Sequence, residues 1–244
     1  MHAPPSDFCL PWLDSPRGRY LLGWEQQQVD LLVADMFGFN ALQIGLCDAD
    51  FLRANRMRCR LRAGFGDQCQ GVQVLTAVEE LPFATQSLDL VVLPHVLEFS
   101  PHPHQVLREV ERILRPEGQV VITGFNPFSL WGVRRALAGN LGELPWSGQY
   151  LSTVRLKDWL SLLGFEQRGC RLGCYAPPVR SERWLHRWGF MEAVGSWAWP
   201  FAGGAYVLHA VKRVQGMRVI LPAWRDARKR KKAMVPVTQK RRSD

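Results

Sequence analysis

The feature that most constrains the fold is an alternation of short apolar runs with segments of helical periodicity. Apolar runs of strand type cover residues 41–46, 57–61, 72–75, 88–93, 119–123 and 205–211. Apolar residues at helical spacing mark residues 19–37, a segment that begins at His104, residues 153–163 and residues 180–193. Strands that alternate with helices of this length predict a parallel sheet covered by helices on both faces.

The loops that follow the strands are the expected place for a functional site. In sheets with helices on both faces, ligands bind outside the carboxyl ends of the strands. The loops after Leu46, Leu93 and Thr123 hold those positions here. The first loop lacks the GxGxxG pattern of dinucleotide-binding proteins, and no acidic residue ends the second strand, which argues against an oxidoreductase.

Positive charge is concentrated at the end of the chain. Of the net +9 over 244 residues, residues 225–244 contribute nine Lys or Arg and two Asp, so the rest is nearly neutral. The stretch 225–242 could make weak, nonspecific contacts with RNA, DNA or anionic lipid through charge alone. It has no interleaved aromatic residues to stack on bases, and the alternative is a disordered, solvated tail.

The distribution of apolar residues, cysteines and histidines also bears on the cellular compartment and on metal binding. No run approaches the roughly 18 apolar residues of a membrane span, and the N-terminus lacks the basic and apolar regions of a secretory signal. We therefore expect a cytoplasmic protein without a membrane span. The six cysteines include no CxxC pair and no histidine lies near a carboxylate-rich cluster, so we expect no metal site and interpret the cysteines as small buried hydrophobic residues.

One stretch of the chain resembles a known family. The motifs are ELPF at residues 80–83, SLDLVV at 87–92, LREVERILRPEG at 107–118 and QVVITGFNPFS at 119–129. Together with LLGF at 162–165, they resemble the class I S-adenosylmethionine-dependent methyltransferases, most closely the branch called type 11. The resemblance covers about residues 39–213.

This resemblance implies a fold, a cofactor and a reaction. The fold is a three-layer α/β sandwich with a seven-stranded, mostly parallel Rossmann-like sheet whose last strand is antiparallel. The reaction transfers a methyl group from S-adenosylmethionine to a nucleophile, which mainly requires the reacting atoms to be held in line. The chain is divided accordingly into an N-terminal helical cap over 1–38, a methyltransferase-like domain over 39–214 and the basic tail over 215–244.

The loop expected to bind the cofactor departs from the family pattern. When residues 41–49 are aligned on the family's glycine-rich loop, Gly45 keeps the first glycine. Cys47 and Ala49 replace the other two glycines, and Gln43 replaces the acidic residue that precedes them. A side chain at Cys47 takes space that glycine leaves open.

The implied cofactor contacts include several of these altered positions. By the resemblance, the cofactor-binding residues are Gln43, Gly45, Leu46, Cys47, Asp48, Asp67, Leu81, Leu93 and Pro94. The second strand also lacks its usual terminal acid, for which Asp67 is the nearest candidate. Either Asp48, Asp50 or Asp67 stands in for the missing acids, or the site no longer holds cofactor.

Two polar residues lie where methyl transfer would take place. His95 closely follows the strand 88–93, and a neutral imidazole there could accept the proton of a hydroxyl or amine acceptor. The alternative is a histidine that caps a turn or is hydrogen-bonded in the core. Glu98 is the second candidate base. Asn126 follows the next strand and could hydrogen-bond a substrate, or form a turn with Pro127.

Tryptophan is frequent before the last strand. Four of the ten tryptophans, Trp184, Trp188, Trp197 and Trp199, fall in that region. They could form an apolar lid over a substrate, but the helical spacing around Trp184 and Trp188 favours a buried, packed stripe.

Taken together, the sequence predicts an S-adenosylmethionine-dependent methyltransferase that acts on an unidentified small-molecule acceptor, with His95 as its base. The alternative is a catalytically inactive binding or scaffold protein of the same fold, associated with RNA through its tail. The oligomeric state is not predicted.

Overall fold

The computed structural model describes residues 11–65, 71–138, 146–178 and 181–213, which contain a single sheet. Its strands are β1 Asn40–Ile44, β2 Cys59–Gly64, β3 Val74–Leu75, β4 Leu88–Pro94, β5 Leu114–Phe125, β6 Phe165–Gly173 and β7 Ala205–Lys212. They lie in the order β3-β2-β1-β4-β5-β7-β6. Strand β7 runs antiparallel to β5 and β6, and the other pairings are parallel. The predicted fold, a mostly parallel seven-stranded sheet with an antiparallel last strand, is confirmed.

Helices cover both faces of the sheet. They are α1 Pro16–Val33, α2 Val96–Phe99, α3 Pro103–Ile113, α4 Leu130–Ala138, α5 Thr153–Leu162, α6 Glu182–Arg187 and α7 Met191–Ala198, preceded by a 3-10 turn over Pro11–Asp14. Helix α5 begins as predicted, because the Ser152 side chain accepts a hydrogen bond from the backbone N–H of Arg155. It is followed by Gly164 with a φ of 82°, a left-handed residue of the kind that closes helices.

The predicted helix over 180–193 is wrong in its extent. The structure has two short helices there, α6 and α7, separated by a turn that contains Gly189. Glycine lowers helical stability, so a continuous apolar pattern did not produce a continuous helix.

The two faces of the sheet bury different residues because side chains alternate along each strand. On one face, Val92 of β4 and Val121 of β5 pack with Leu21 and Val29 of α1. On the other face, side chains of β1, β4, β5 and β7 pack against α3 and α5; they include Leu42, Val91, Ile122, Leu208, Val106, Val110, Leu156 and Leu160. Helix α1 is therefore part of the core.

The predicted packing of the late tryptophans holds only in part. Trp188 is half-buried and stacks on Phe190, with ring centroids 5.8 Å apart. Trp197 and Trp199, which lie outside the predicted stripe, are 87% and 73% exposed. The side chain of Trp184 lies outside the described part of the structure.

Two predicted features fall outside the described residues. The basic tail over 215–244 is one of them, and Asp67 is the other. Among the described residues, no helix has the length and apolar character needed to cross a bilayer.

Candidate functional site

The loop after β1 is built around a glycine that cannot be replaced without strain. Gly45 has a φ of 81°, and Leu46 after it is also left-handed, at 46°. The Gly45 N–H donates to the carbonyl of Ala63 on β2, 2.8 Å away. A Cβ on Gly45 would lie 2.9 Å from Cγ2 of Val96. The backbone therefore turns sharply at the carboxyl end of the central strand, where the family's first glycine was expected.

The side chain of Gln43 holds this loop from the inside. Its Nε2 lies 3.2 Å from the carbonyls of Gly45 and Leu46 and 2.7 Å from that of Ala49. Its Oε1 accepts a hydrogen bond from the N–H of Phe51 at 2.9 Å. An amide can donate and accept at once, whereas a carboxylate can only accept. Gln43 therefore organises the loop, and its amide is already satisfied by backbone groups.

Inward and outward residues alternate around the turn. Leu46, Cys47 and Ala49 are buried, while Asp48 and Asp50 are exposed. Cys47 is disulfide-bonded, so its interpretation as a simple buried thiol is wrong. The Asp50 carboxylate accepts a hydrogen bond from the N–H of Leu52.

The other implied cofactor residues lie at different depths. Leu93 is fully buried in the core face that packs on α3 and α5. Pro94 follows it, and the Pro94 carbonyl oxygen lies 3.8 Å from where a Cβ on Gly45 would be. Leu81 is buried on the same face as Leu93, and its N–H donates to Glu109 of α3 at 3.2 Å. The structure thus brings Gly45 and Pro94 together, whereas Leu81 is hydrogen-bonded to α3.

His95 is the centre of a buried ionic cluster. The residue is 1% exposed and left-handed, with a φ of 54°. Its Nδ1 lies 2.7 Å from Oε2 of Glu98, and its Nε2 lies 2.9 Å from Oε1 of Glu25 on α1. The imidazole also packs on Phe125, with ring centroids 4.5 Å apart. Both ring nitrogens are therefore occupied by carboxylates.

This environment contradicts the prediction of His95 as a neutral base. Burial lowers the pKa of the imidazole, but the charges of Glu25 and Glu98 and their hydrogen bonds outweigh burial and raise the pKa to about 10. At neutral pH the ring is protonated, and each N–H is donated to a carboxylate. An imidazolium has no lone pair that could accept a proton.

The second candidate base, Glu98, is equally enclosed. Its Oε1 accepts a hydrogen bond from the backbone N–H of Phe125. Burial raises the pKa of this carboxyl, and the attraction of His95 offsets part of that rise. Glu98 is 3% exposed, so its carboxylate is not accessible from the protein surface.

Three oxygen atoms next to this cluster form no hydrogen bond within the described part of the chain. They are Oε2 of Glu25, Oγ1 of Thr123 and the hydroxyl of Tyr150, all buried. The Thr123 carbonyl accepts a hydrogen bond from the backbone N–H of His95 at 3.2 Å. The Tyr150 ring stacks on that of Phe125, with ring centroids 4.9 Å apart. Buried polar atoms of this kind usually bond to water or a ligand.

A cavity of about 760 Å³ lies beside β6 and the end of β5. Its lining includes four aromatic residues, Trp24, Phe128, Tyr175 and Phe201, and three charged ones, Lys157, Arg171 and Glu192. The Glu192 carboxylate accepts a hydrogen bond from the backbone N–H of Tyr175. Arg171 donates to Gln28 at 2.9 Å. Within the described ranges, no acidic side chain pairs with the Lys157 ammonium. The cavity suits an apolar or aromatic molecule that carries an anionic group.

Asn126 lines this cavity, but its amide is used by the protein. Its Nδ2 donates to the carbonyls of Phe201 and Gly203, at 2.7 and 3.0 Å, and its Oδ1 accepts from Phe128 at 3.1 Å. Of the two roles considered for Asn126, hydrogen bonding to a substrate and formation of a turn with Pro127, this arrangement matches the turn.

Sequence reasoning missed Glu25. The sequence does indicate that Glu25 is buried, because Leu21, Glu25 and Val29 are spaced four residues apart and therefore lie on one face of α1. A carboxylate between two fully buried apolar residues of a helix must have a buried partner. Its partner, His95, could be identified only once the fold was known.

Comparisons with known proteins agree with this fold. Residues 47–122 match the model of the Methyltransf_11 family, described as a methyltransferase domain. The chain is 35% identical over 157 residues to the uncharacterized protein YafS of Escherichia coli K12, covering 64% of each. It is 29% identical over 174 residues to Rv2003c of Mycobacterium tuberculosis, covering 68% of this chain and 60% of that one. It therefore spans less than two thirds of the length of these relatives.

Solved structures give the same architecture at low identity. An S-adenosylmethionine-dependent methyltransferase of Thermotoga maritima superposes with a TM-score of 0.63 and 18% identity, over 83% of this chain and 93% of that one. The [4+2]-cyclase SpnF superposes with a TM-score of 0.54 and 17% identity, over 78% and 80%. The match to the family model confirms the resemblance to class I S-adenosylmethionine-dependent methyltransferases, and the superpositions show the same fold.

Proposed function

We propose that this protein transfers a methyl group from S-adenosylmethionine to a small, anionic acceptor. The observation that carries the proposal is Gly45, a left-handed glycine without room for a Cβ at the carboxyl end of β1. The glycine keeps the turn tight against Val96, and the turn lies outside the carboxyl end of a central strand, where ligands bind in sheets of this kind. When bound, S-adenosylmethionine supplies an electrophilic methyl group on a sulfonium.

The residues present fit this cofactor if another acidic residue of the loop takes the role of the acid that the family usually has. The position of the usual acid is Gln43, whose amide is satisfied by the loop itself. Asp48, five residues on, is exposed and has no hydrogen-bond partner among the described residues. Its carboxylate could accept hydrogen bonds from the cofactor's ammonium or ribose hydroxyls, so we assign it the role that Gln43 cannot fill.

The acceptor would have to be a nucleophile that needs no base from His95. We assign His95 a positioning role: its imidazolium ties α1, through Glu25, to the carboxyl end of β4. An acceptor that is already ionised, such as a carboxylate, needs no proton removed. The aromatic walls and the Lys157 and Arg171 cations of the cavity support an acceptor of that class.

A second candidate function is a binding protein of the same fold that holds no cofactor. The burial of Leu46, Cys47 and Ala49 and the closed hydrogen bonding of Gln43 favour it, because these groups fill space that the family usually leaves to glycines. Association with RNA through residues 225–242 would be the corresponding partner prediction.

Calorimetric titration with S-adenosylmethionine and S-adenosylhomocysteine separates the two functions. We expect micromolar binding, about −8 kcal/mol, weakened about tenfold or more by Asp48→Asn, which corresponds to the loss of one charge-assisted hydrogen bond. Asp35→Asn, at another exposed aspartate that forms no ion pair with a described residue, is the matched control and should bind normally. Absence of heat at millimolar ligand, with a folded protein, would reject the methyltransferase and favour the binding protein.

A further inference from the structure

Strand β6 leaves one long edge of the sheet open. Within the described ranges it pairs with β7 alone, whereas the opposite edge strand, β3, has only two residues. The register of β6 shifts between Gln167 and Gly169, and residues 169–173 beyond the shift pair regularly with β7. In an antiparallel pair, every second residue directs its N–H and C=O away from the neighbouring strand. No hydrogen bond between described residues engages these outward groups of 169–173, so they are available to another chain.

The cavity of about 760 Å³ runs along this edge. The consecutive residues 170–172 of β6 all line it, although successive side chains of a strand point to opposite faces of the sheet. Helices from both faces line it as well, α1 from the face of Val121 and α5 from the face of Ile122. The cavity therefore passes around the edge from one face to the other. We call this part of the cavity the edge groove; it is lined by Trp24, Gln28, Val154, Lys157 and residues 170–172.

Each face of the edge groove offers one cation and one apolar side chain. On the α1 face, Arg171 donates to Gln28 at 2.9 Å, one helical turn from Trp24. On the α5 face, Lys157 lies one helical turn from Val154, which is 74% exposed. A ligand that follows the edge therefore meets both kinds of side chain on both of its own sides.

The cations of the edge groove are not neutralised by the protein. Within the described ranges, no acidic side chain forms an ion pair with Lys157 or Arg171. Glu192, the acidic residue of the cavity, accepts hydrogen bonds from two tyrosines. Glu166, on β6 itself, pairs with Arg213. The groove thus keeps a positive charge that an acidic ligand would complement.

We infer that an extended segment of a partner protein, with acidic and apolar residues on both of its faces, pairs with residues 169–173 as an additional strand of the sheet. Main-chain hydrogen bonds to the open edge supply affinity in this mode, and side-chain contacts supply selectivity. The segment must be extended, because a helix has already used its own N–H and C=O groups. Its acids would lie against Lys157 and Arg171, and its apolar residues against Trp24 and Val154.

Two other occupants fit this edge less well. A second copy that paired through all of 169–173 would set Arg171 directly opposite its own equivalent, and like charges that face each other across strands are destabilising. The basic stretch 225–242 has the sign of charge that the groove repels. An acidic partner chain avoids both conflicts.

The inference depends on this geometry and not on the proposed methyl transfer. A strand in the edge groove would fill part of the cavity that we assign to the acceptor, so partner and acceptor would compete for it. The two proposals are tested separately, because binding of the partner needs no S-adenosylmethionine.

Binding of synthetic peptides to the full chain, without S-adenosylmethionine, tests the inference. The first peptide has eight residues in which pairs of valines alternate with pairs of glutamates, so that each face of the extended peptide carries both. The second has lysine in place of glutamate, and the third is the first with every backbone amide N-methylated. We expect saturable binding of the first peptide alone, by fluorescence anisotropy. Hydrogen exchange should slow about tenfold or more at the amides of 169–173 that become paired.

Two charge reversals on α5 supply a matched pair of variants. Lys157→Glu should weaken binding of the glutamate peptide about tenfold or more, because an attractive contact becomes repulsive. Arg155→Glu changes the net charge equally, but the Arg155 guanidinium lies over Trp159, 5.4 Å from the ring centroid, and does not line the groove. It should keep the affinity within about twofold of the wild type. Circular dichroism checks that both variants are folded.

Three results would overturn the inference. The first is equal binding of the N-methylated peptide, since that peptide cannot donate a hydrogen bond to a strand edge. The second is slow exchange at 169–173 that depends on protein concentration and needs no peptide, because a second copy would then cover the edge. The third is a loss of affinity as large for Arg155→Glu as for Lys157→Glu, which would indicate general charge attraction instead of a site at the edge groove.

Discussion

The Nε2 atom of His95 lies 2.9 Å from Oε1 of Glu25, a residue 70 positions earlier in the chain, and both side chains are 1% exposed. The contact joins the middle of α1 to the residue that follows β4. With Glu98 on the other ring nitrogen, the imidazolium has a carboxylate on each side. Burying ions costs several kcal/mol each, so such a cluster is stable only when its members are all paired.

Removing Glu25 should therefore destabilise the protein strongly. Glu25→Ala leaves the His95 imidazolium with one partner and opens a small cavity, and we expect the free energy of unfolding to fall by about 3–5 kcal/mol. Glu25→Gln keeps the shape and one hydrogen bond, and should cost less, about 1–3 kcal/mol. Urea denaturation measures both.

An exposed pair serves as the control for Glu25. Glu166 lies beside Arg213 on the surface, and Glu166→Ala should leave stability unchanged within error. If Glu25→Ala were as mild as Glu166→Ala, the buried cluster would not contribute to stability.

The stability of the protein should fall between neutral and alkaline pH. The pKa of His95 is raised from 6.5 to about 10, so the folded protein binds a proton that the unfolded chain releases. This contribution is fully present below pH 6.5 and is lost as the pH rises toward 10. The pKa of Glu98 is raised as well, which acts in the same direction at lower pH.

Denaturation midpoints at pH 6.5 and pH 9 test this dependence. We expect a lower midpoint at pH 9 for the wild type and a smaller decrease for His95→Gln, which cannot titrate and keeps only the contribution of buried thiols such as Cys174. The interval ends before the unfolded tyrosines ionise, near 10. A wild-type profile as flat as that of the variant would show that His95 is neutral in the folded protein.

How far the sequence predicted the fold depends on where each element is buried. Strand β4 was predicted over 88–93 and spans Leu88–Pro94, because a central strand buried on both faces is a continuous apolar run. Strand β6, at the edge of the sheet, has mostly exposed or half-buried residues. Its composition gives no such run, so only the resemblance to a family indicated it.

Predictions for the site failed where they depended on contacts distant in sequence. His95 was correctly placed after β4, but its protonation is set by Glu25, which reaches it only through the packing of α1. The outward side of α7, where Trp197 is 87% exposed, illustrates the same limit. Periodicity shows that a helix has an apolar side, but not whether that side meets the core or the solvent.

A methyl group added at Gly45 should be destabilising. Gly45→Ala places a Cβ against Val96 in a left-handed backbone, and the conformation alone costs about 1–2 kcal/mol. Gly23 on α1 is the matched control, because no atom lies within 4 Å of its added Cβ. Gly23→Ala should stabilise by about 0.5–1 kcal/mol, since alanine favours helix. Thermal unfolding should move in opposite directions for the two variants.

Replacing Gln43 by glutamate should damage the loop, although it restores the acid that the family usually has there. A glutamate at this position could accept from the Phe51 N–H, as Gln43 does at 2.9 Å. It could not donate to the Ala49 carbonyl, and its charge would face three backbone oxygens in a buried place. We expect a loss of about 1–3 kcal/mol in stability, the cost of leaving a buried acceptor without its donor.

The matched control is Gln28→Glu, at a half-buried residue of α1. Gln28 accepts a hydrogen bond from Arg171 at 2.9 Å, and a carboxylate accepts it at least as well. Urea denaturation should therefore show no loss for Gln28→Glu and a clear loss for Gln43→Glu. Weaker binding of S-adenosylhomocysteine by Gln43→Glu would show that the loop's shape, and not the missing acid, maintains the cofactor site. Tighter binding with unchanged stability would mean that the amide is not needed to hold the loop.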